Sequence, residues 1–136
     1  KFLVRADHPL TRIDRPSIRD LGGYGWVAQA TGTPMRKAVE EVFIANDVPL
    51  PQDIVTTTSL LVMIAYLQAS ESISPISSEA ADLLHSSGVG GMKTVTVQEP
   101  IVISPYHLIQ RKTGTISPLA QRLRNLVISG LSGPLA

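Results

Sequence analysis

Two short clusters of small polar residues are where chemistry could gather in this chain. Thr31-Gly32-Thr33-Pro34 lies between a strand-like run, Tyr24 to Gln29, and a helix-like run, Met35 to Asn46. A strand that feeds a helix through a glycine-containing turn leaves the first backbone N–H groups of that helix without intrahelical partners. With the positive end of the helix dipole and two threonine hydroxyls, those donors suit a small anion, and the glycine lets it approach the backbone. The same residues also read as a plain helix start, with Thr33 as cap and Pro34 at the first helical position. Thr57-Thr58-Ser59 is the second cluster, at the end of another strand-like run. Parallel α/β sheets place ligands at such strand ends, although capping is the favoured role of Ser59. Ser72 and Ser74 form a third group that could serve only local backbone groups.

Other chemistries have little support. No G-x-S-x-G, H-x-x-x-H, Walker lysine or G-x-G-x-x-G pattern occurs, so no catalytic residue is assigned. His8, His85 and His107 are dispersed without metal-ligand spacing, so no metal site is expected. The absence of cysteine excludes disulfides, thiol catalysis and Cys-ligated zinc in this chain, and it fits a cytoplasmic setting. No cofactor is implied. Arg36 lies early in a helix, where its charge opposes the dipole; that hints at pairing with an acid or a ligand, but a solvated arginine is the favoured reading.

The elements that must position these groups alternate along the chain. Met35, Ala38, Val39, Val42 and Phe43 recur at one-face helical spacing. Phe2 to Ala6 and Asp53 to Thr57 read as strands, Pro16 to Leu21 as a short helix, and Ser78 to His85 as a helix with acids in its first turns. Leu60 to Ala69 is apolar on nearly every side, so burial on several faces is expected. Lys93 to Gln98 alternates, Ile101 to Arg111 reads as a longer strand, and Ser117-Pro118 opens a last helix striped by Leu119, Leu123, Leu126, Val127 and Leu131. Strand–helix alternation of this kind predicts an α/β domain with a largely parallel sheet.

Composition sets bounds. The chain has 136 residues, 43% of them hydrophobic, which can build a core, and 17% charged, too few for a disordered chain. Net charge is +1 and no basic run exceeds two residues, so nucleic-acid binding by this segment is disfavoured. The uncharged run Ile54 to Ser70 is broken by threonines and serine and reads as a strand–helix unit, not a membrane span. Lys1 leads directly into strand-like Phe2-Leu3-Val4 without a methionine or leader, so a fragment of a longer protein is expected.

Several phrases in order resemble the effector-binding (substrate-binding) domain of LysR-type transcriptional regulators. Leu3-Val4-Arg5-Ala6-Asp7-His8-Pro9-Leu10 is similar to that family's strand and "D-H-P-L" turn. Ser17-Ile18-Arg19-Asp20-Leu21 is similar to its "S-x-x-D-L" helix, Gly32-Thr33-Pro34-Met35-Arg36 to its "G-T-P-x-R" helix start, and Ser117-Pro118-Leu119-Ala120 to its "S-P-A-A" opening. The resemblance implies a type 2 periplasmic-binding-protein-like lobe with a mixed, largely parallel sheet flanked by helices. Residues 1–104 would be the second lobe. Residues 105–136 would be the returning crossover strand and a final helix packed on a first lobe. The resemblance also implies a small effector, an organic anion, in an inter-lobe cleft, with Thr31, Gly32, Thr33, Pro34, Thr57 and Thr58 as its candidate contacts. Partners would be a second copy of the chain in a homodimer or higher oligomer, and DNA through an N-terminal winged helix-turn-helix outside this sequence. Ser72-Ile73-Ser74-Pro75-Ile76 departs from the family's "G-I-x-x-L-P" and is expected to make that edge of the cleft more polar.

Two other readings share the architecture. A solute-binding lobe of a transporter would carry a signal peptide upstream. A small α/β enzyme acting on a carboxylate would need a base and a nucleophile within hydrogen-bond reach in the cleft.

Overall fold

Phe2, Leu3 and Val4 are all buried, and they anchor the middle of the sheet. The computed structural model describes residues 1–86, 90–104, 107–111 and 116–132. The strands are β1 (Phe2–Arg5), β2 (Trp26–Ala28), β3 (Ile54–Thr56), β4 (Ser74–Pro75) and β5 (Met92–Val95). The helices are α1 (Pro34–Ala45), α2 (Leu60–Ala69), α3 (Ser78–Ser86) and α4 (Pro118–Ser132), with 3-10 turns at Pro9–Arg12 and Ile18–Leu21. The chain divides into two units, Lys1–Pro105 and Tyr106–Ala136.

In the first unit β1 pairs antiparallel with β4 on one side and β5 on the other, while β2 and β3 pair in parallel. A parallel bridge between Trp26 and Ile73 joins the two sets. Val27 N–H donates to the Ile73 carbonyl and Ile73 N–H to the Gly25 carbonyl, both at 2.9 Å. The expected α/β sheet is therefore mixed. Its parallel part is confined to β2, β3 and the Ile73 bridge, because β1 takes its partners from returning, antiparallel segments.

Alternation along the strands sorts the core into two layers. Phe2, Val4 and Trp26 pack with Val39 and Phe43 of α1, and with Leu10, Ile18 and Leu21 from the two 3-10 turns. Trp26 meets Phe2 and Phe43 edge-on, each at a ring separation of 5.5 Å. Leu3 and Val27 face the other way, onto Leu67 of α2 and Ala81 of α3. The Ser17 turn is closed locally, its N–H donating to the Asp20 carboxylate at 2.7 Å.

Three expectations need correction. α2 is not buried on several faces: Leu67 is buried, while Leu60, Val62 and Tyr66 are exposed and Leu61 is 77% exposed. One stripe suffices to seat the helix on β1 and β2, and nothing else among the described residues covers the rest. Residues 101–104 and 107–111 form no strand, since a strand needs a hydrogen-bonding neighbour and none runs beside them among the described residues. The remainder of that expected strand, 105–106, lies outside the described residues. β5 ends at Val95, earlier than the alternation suggested, because the chain turns away and Gln98 N–H donates to the Pro16 carbonyl at 3.0 Å. In the second unit, α4 carries Leu119, Leu123, Leu126 and Val127 exposed.

Candidate functional site

β2 and β3 lie side by side in register, Trp26 opposite Ile54 and Ala28 opposite Thr56. Parallel strands release their chains at the same edge, so the loops after Ala28 and Thr56 emerge together. Each then enters a helix, α1 at Pro34 and α2 at Leu60. Thr57 N–H donates to the Ala28 carbonyl at 3.1 Å, which brings the second loop against the root of the first. The structure thus assembles Thr31, Gly32, Thr33 and Pro34 with Thr57 and Thr58 at one carboxyl edge. Thr31, Gly32, Pro34 and Thr58 are exposed, and Thr33 and Thr57 are half-buried.

The two helix starts differ. In α2, the Ser59 hydroxyl accepts from Val62 N–H at 3.4 Å, so Ser59 is the cap. The Thr57 hydroxyl oxygen accepts from Ser59 N–H at 3.1 Å, which ties it into the same turn. In α1, Thr33 occupies the cap position, but its side chain makes no bond to the helix. Its hydroxyl instead donates backwards to the Ala30 carbonyl at 2.9 Å. Gly32 takes φ +89°, a left-handed conformation that favours glycine, and so turns the chain into α1. Pro34 has no N–H, so the N–H groups of Met35 and Arg36 open the helix without a side-chain acceptor. Capping by Thr33 is therefore corrected: the hydroxyl closes the turn and leaves the donors uncapped.

Arg36 is not the solvated arginine expected but finds its acid within the helix. Its Nε bonds Glu40 Oε1 at 2.5 Å, four residues on, and Arg36 is only 8% exposed. Glu40 was not singled out from the sequence, although the i, i+4 spacing carries that signal. The pair offsets the mismatch between a cation and the positive end of the dipole.

The other polar candidates are structural. Ser72 and Ser74 do not line a polar edge, as expected from the departure at 72–76; both are buried, and the Ser74 hydroxyl contacts Met63 Sδ at 2.9 Å. Ser74 thus sits against α2, and the Trp26–Ile73 bridge draws the segment of both serines into the sheet. His8 is fully buried, its Nδ1 accepting from Leu10 N–H at 3.2 Å and its Nε2 facing the Glu71 carbonyl at 3.0 Å. That arrangement uses a neutral ring with the proton on Nε2. Arg5 pairs with Glu71 at 2.9 Å. No cluster of three metal-ligating side chains occurs among the described residues. A cavity of about 450 Å³ lies at the opposite end of β2, lined by Tyr24, Gly25, Leu50 and Asp53 among others.

Comparison with known proteins gives this geometry a context. The effector binding domain of QuiR in complex with shikimate superposes with a TM-score of 0.66 at 19% identity, covering 95% of this chain and 59% of that one. The BenM effector binding domain with its effector benzoate gives 0.62 at 18% identity, covering 98% and 62%. Such identities establish a shared fold, the type 2 periplasmic-binding-protein-like α/β arrangement. An HTH-type transcriptional regulator GbpR from Rhizobium radiobacter is 33% identical over 83 residues, 61% of this chain and 28% of that protein. Its namesake from Azospirillum brasilense is 28% identical over 121 residues, 88% of this chain and 35% of that protein. The chain thus spans about a third of the length of these relatives. The model of the LysR substrate binding domain matches residues 2–132, and the chain belongs to that family.

Proposed function

We propose that this domain senses a small organic anion on behalf of a LysR-type transcriptional regulator. The effector's negative group sits at the carboxyl edge of β2 and β3. There the Met35 and Arg36 N–H groups and the Thr57–Thr58 turn supply donors, joined by the Thr33 hydroxyl once it turns its one proton from the Ala30 carbonyl to the effector. The observation that carries this reading is the uncapped start of α1 on an exposed loop beside the β3 turn. Helix starts that lack a side-chain acceptor favour an anion through both their free donors and the dipole. Residues 1–104 form the second lobe, and 105–136 return to a first lobe that completes the cleft.

Effector binding favours the closed arrangement of the lobes because the ligand touches both only there, so the population shifts by differential affinity. The shift reaches an N-terminal winged helix-turn-helix through a homodimer or higher oligomer. The exposed apolar residues of α2 support such self-association. The domain acts as a sensor in the cytoplasm and carries out no catalysis.

The test is titration calorimetry on the full-length regulator with a panel of small carboxylates that includes shikimate and benzoate. A carboxylate should bind saturably, and Thr33→Val together with Thr57→Val should weaken it at least tenfold. Binding that is indifferent to both substitutions would remove the effector from this edge.

A further inference from the structure

β5 is the last strand of its sheet, and its outer edge has no strand partner among the described residues. The register shows which groups that edge offers. Ala6 N–H donates to the Gly91 carbonyl at 2.8 Å, so Ala6 and Gly91 are a hydrogen-bonded pair. Antiparallel pairs alternate between bonded and unbonded. Val4–Lys93 and Phe2–Val95 are thus the next bonded pairs along the register. Met92 and Thr94, and Thr96 just beyond, then turn their N–H and C=O groups away from β1.

Two hollows flank this edge. One, of about 430 Å³, lies between Lys93–Thr96 and the Leu10–Pro16 segment, with Thr11, Asp14 and Arg15 on its wall. The other, of about 130 Å³, lies between Lys93 or Thr94 and α3, with Leu84, His85 and Met92 on its wall. An added strand would bond along the backbone edge and send alternate side chains toward the two hollows, the usual division between affinity and specificity in strand addition. An alternating row of donors and acceptors suits an extended backbone better than a compact anion, which the carbonyls would repel.

Charge selects the occupant. Arg15 and Lys93 have no ion-pair partner among the described residues and outweigh Asp14, the acid on the larger hollow, while Asp82 beside the smaller hollow is already paired with Lys1 at 2.9 Å. A lysine on an edge strand discourages pairing with a second copy, because the same cations would meet across the seam. We propose that the outer edge of β5 is a docking strand for an extended, acidic peptide segment of a partner protein.

The experiment uses the whole chain and a short labelled peptide alternating valine and glutamate, followed by fluorescence anisotropy. The glutamate peptide should bind saturably, and its lysine counterpart at least tenfold more weakly. Thr94→Pro removes only an outward N–H, which an edge strand tolerates, and should abolish binding while the melting temperature holds. The double variant Lys93→Glu with Arg15→Glu should reverse the preference between the two peptides, which keeps the test open if Thr94→Pro fails to fold. In the unaltered chain, peptide binding should slow hydrogen exchange at the Thr94 and Thr96 amides. Equal binding of both peptides, unchanged exchange at those amides, or full competition by free glutarate would overturn the proposal. Loss of a chain dimer on Thr94→Pro with peptide binding intact would overturn it as well, in favour of a second copy.

Discussion

Thr33→Val separates a cap from a ligand contact. The Thr33 hydroxyl makes one bond, to the Ala30 carbonyl at 2.9 Å, in an exposed turn. An exposed neutral hydrogen bond sits at the low end of the usual net range, about 0.5 kcal/mol. Valine keeps the β-branch and accepts the extended backbone there, φ −68° and ψ 150°, so no further strain is added. Ser59→Ala, by contrast, removes an actual cap from α2 and should cost about 1 kcal/mol. At a few degrees, about 2–8 °C, per kcal/mol over domains of about 60–250 residues, Thr33→Val should lower the melting temperature by about half as much as Ser59→Ala. Affinity should rank the other way. A hydrogen bond to a charged group is worth about 1.5–3 kcal/mol; less the Ala30 bond of about 0.5 kcal/mol that the hydroxyl gives up, the net is at least about fivefold in Kd. Thr33→Val should therefore weaken a carboxylate effector by at least that much in the full-length protein. Melts followed by circular dichroism and titration calorimetry give the two orderings. A Thr33→Val melt as low as that of Ser59→Ala, with affinity untouched, would show that the hydroxyl serves the helix and not a ligand.

Four other outcomes can be measured on the chain itself. Phe43→Ala, which empties the space beside Trp26 under α1, should cost about 3–5 kcal/mol in chemical denaturation. Glu40→Gln should cost about 1–3 kcal/mol, because it leaves the buried Arg36 guanidinium without its counter-charge; an unchanged denaturation midpoint would contradict that role. Leu61→Glu should alter stability by no more than about 0.5 kcal/mol, since Leu61 is exposed; unfolding would mean that this face of α2 is covered. Glu79 is held below its ordinary value of 4.5 by its own backbone N–H and then by the Ser77 hydroxyl. A lowered carboxyl stabilises the fold above that value and loses the effect as pH falls through its folded-state value. The melting-temperature gap between Glu79→Gln and the parent should therefore shrink as pH drops from about 7 to about 3.

Short-range patterns in the sequence carry the helices and turns, while long-range pairing leaves little trace in it. α1 was legible because Met35, Ala38, Val39, Val42 and Phe43 keep one face, and Pro34 opens the helix. α2 was legible in extent but not in burial, since an apolar sequence reports the capacity to be covered, not what covers it. The antiparallel partners of β1 could not be read, because Phe2 meets Pro75 and Val95 far along the chain and short-range patterns hold no register. The candidate loops were legible as strand-to-helix turns. The Thr33 hydroxyl was not, because capping and back-bonding to Ala30 place the same residue type at the same position. Glu40 left only one trace in the sequence, its i, i+4 spacing from Arg36.

The central place of β1 has a consequence for biogenesis. Phe2, Leu3 and Val4 leave the ribosome ahead of every residue they will pair with, and the last of their partners is Val95. At about 5–20 residues per second, the nascent segment spends seconds as a bare apolar ribbon. Completion of the sheet waits on contacts nearly a hundred residues apart, the kind of topology that slows folding. A chaperone engaging this segment as it emerges would shield it during that interval.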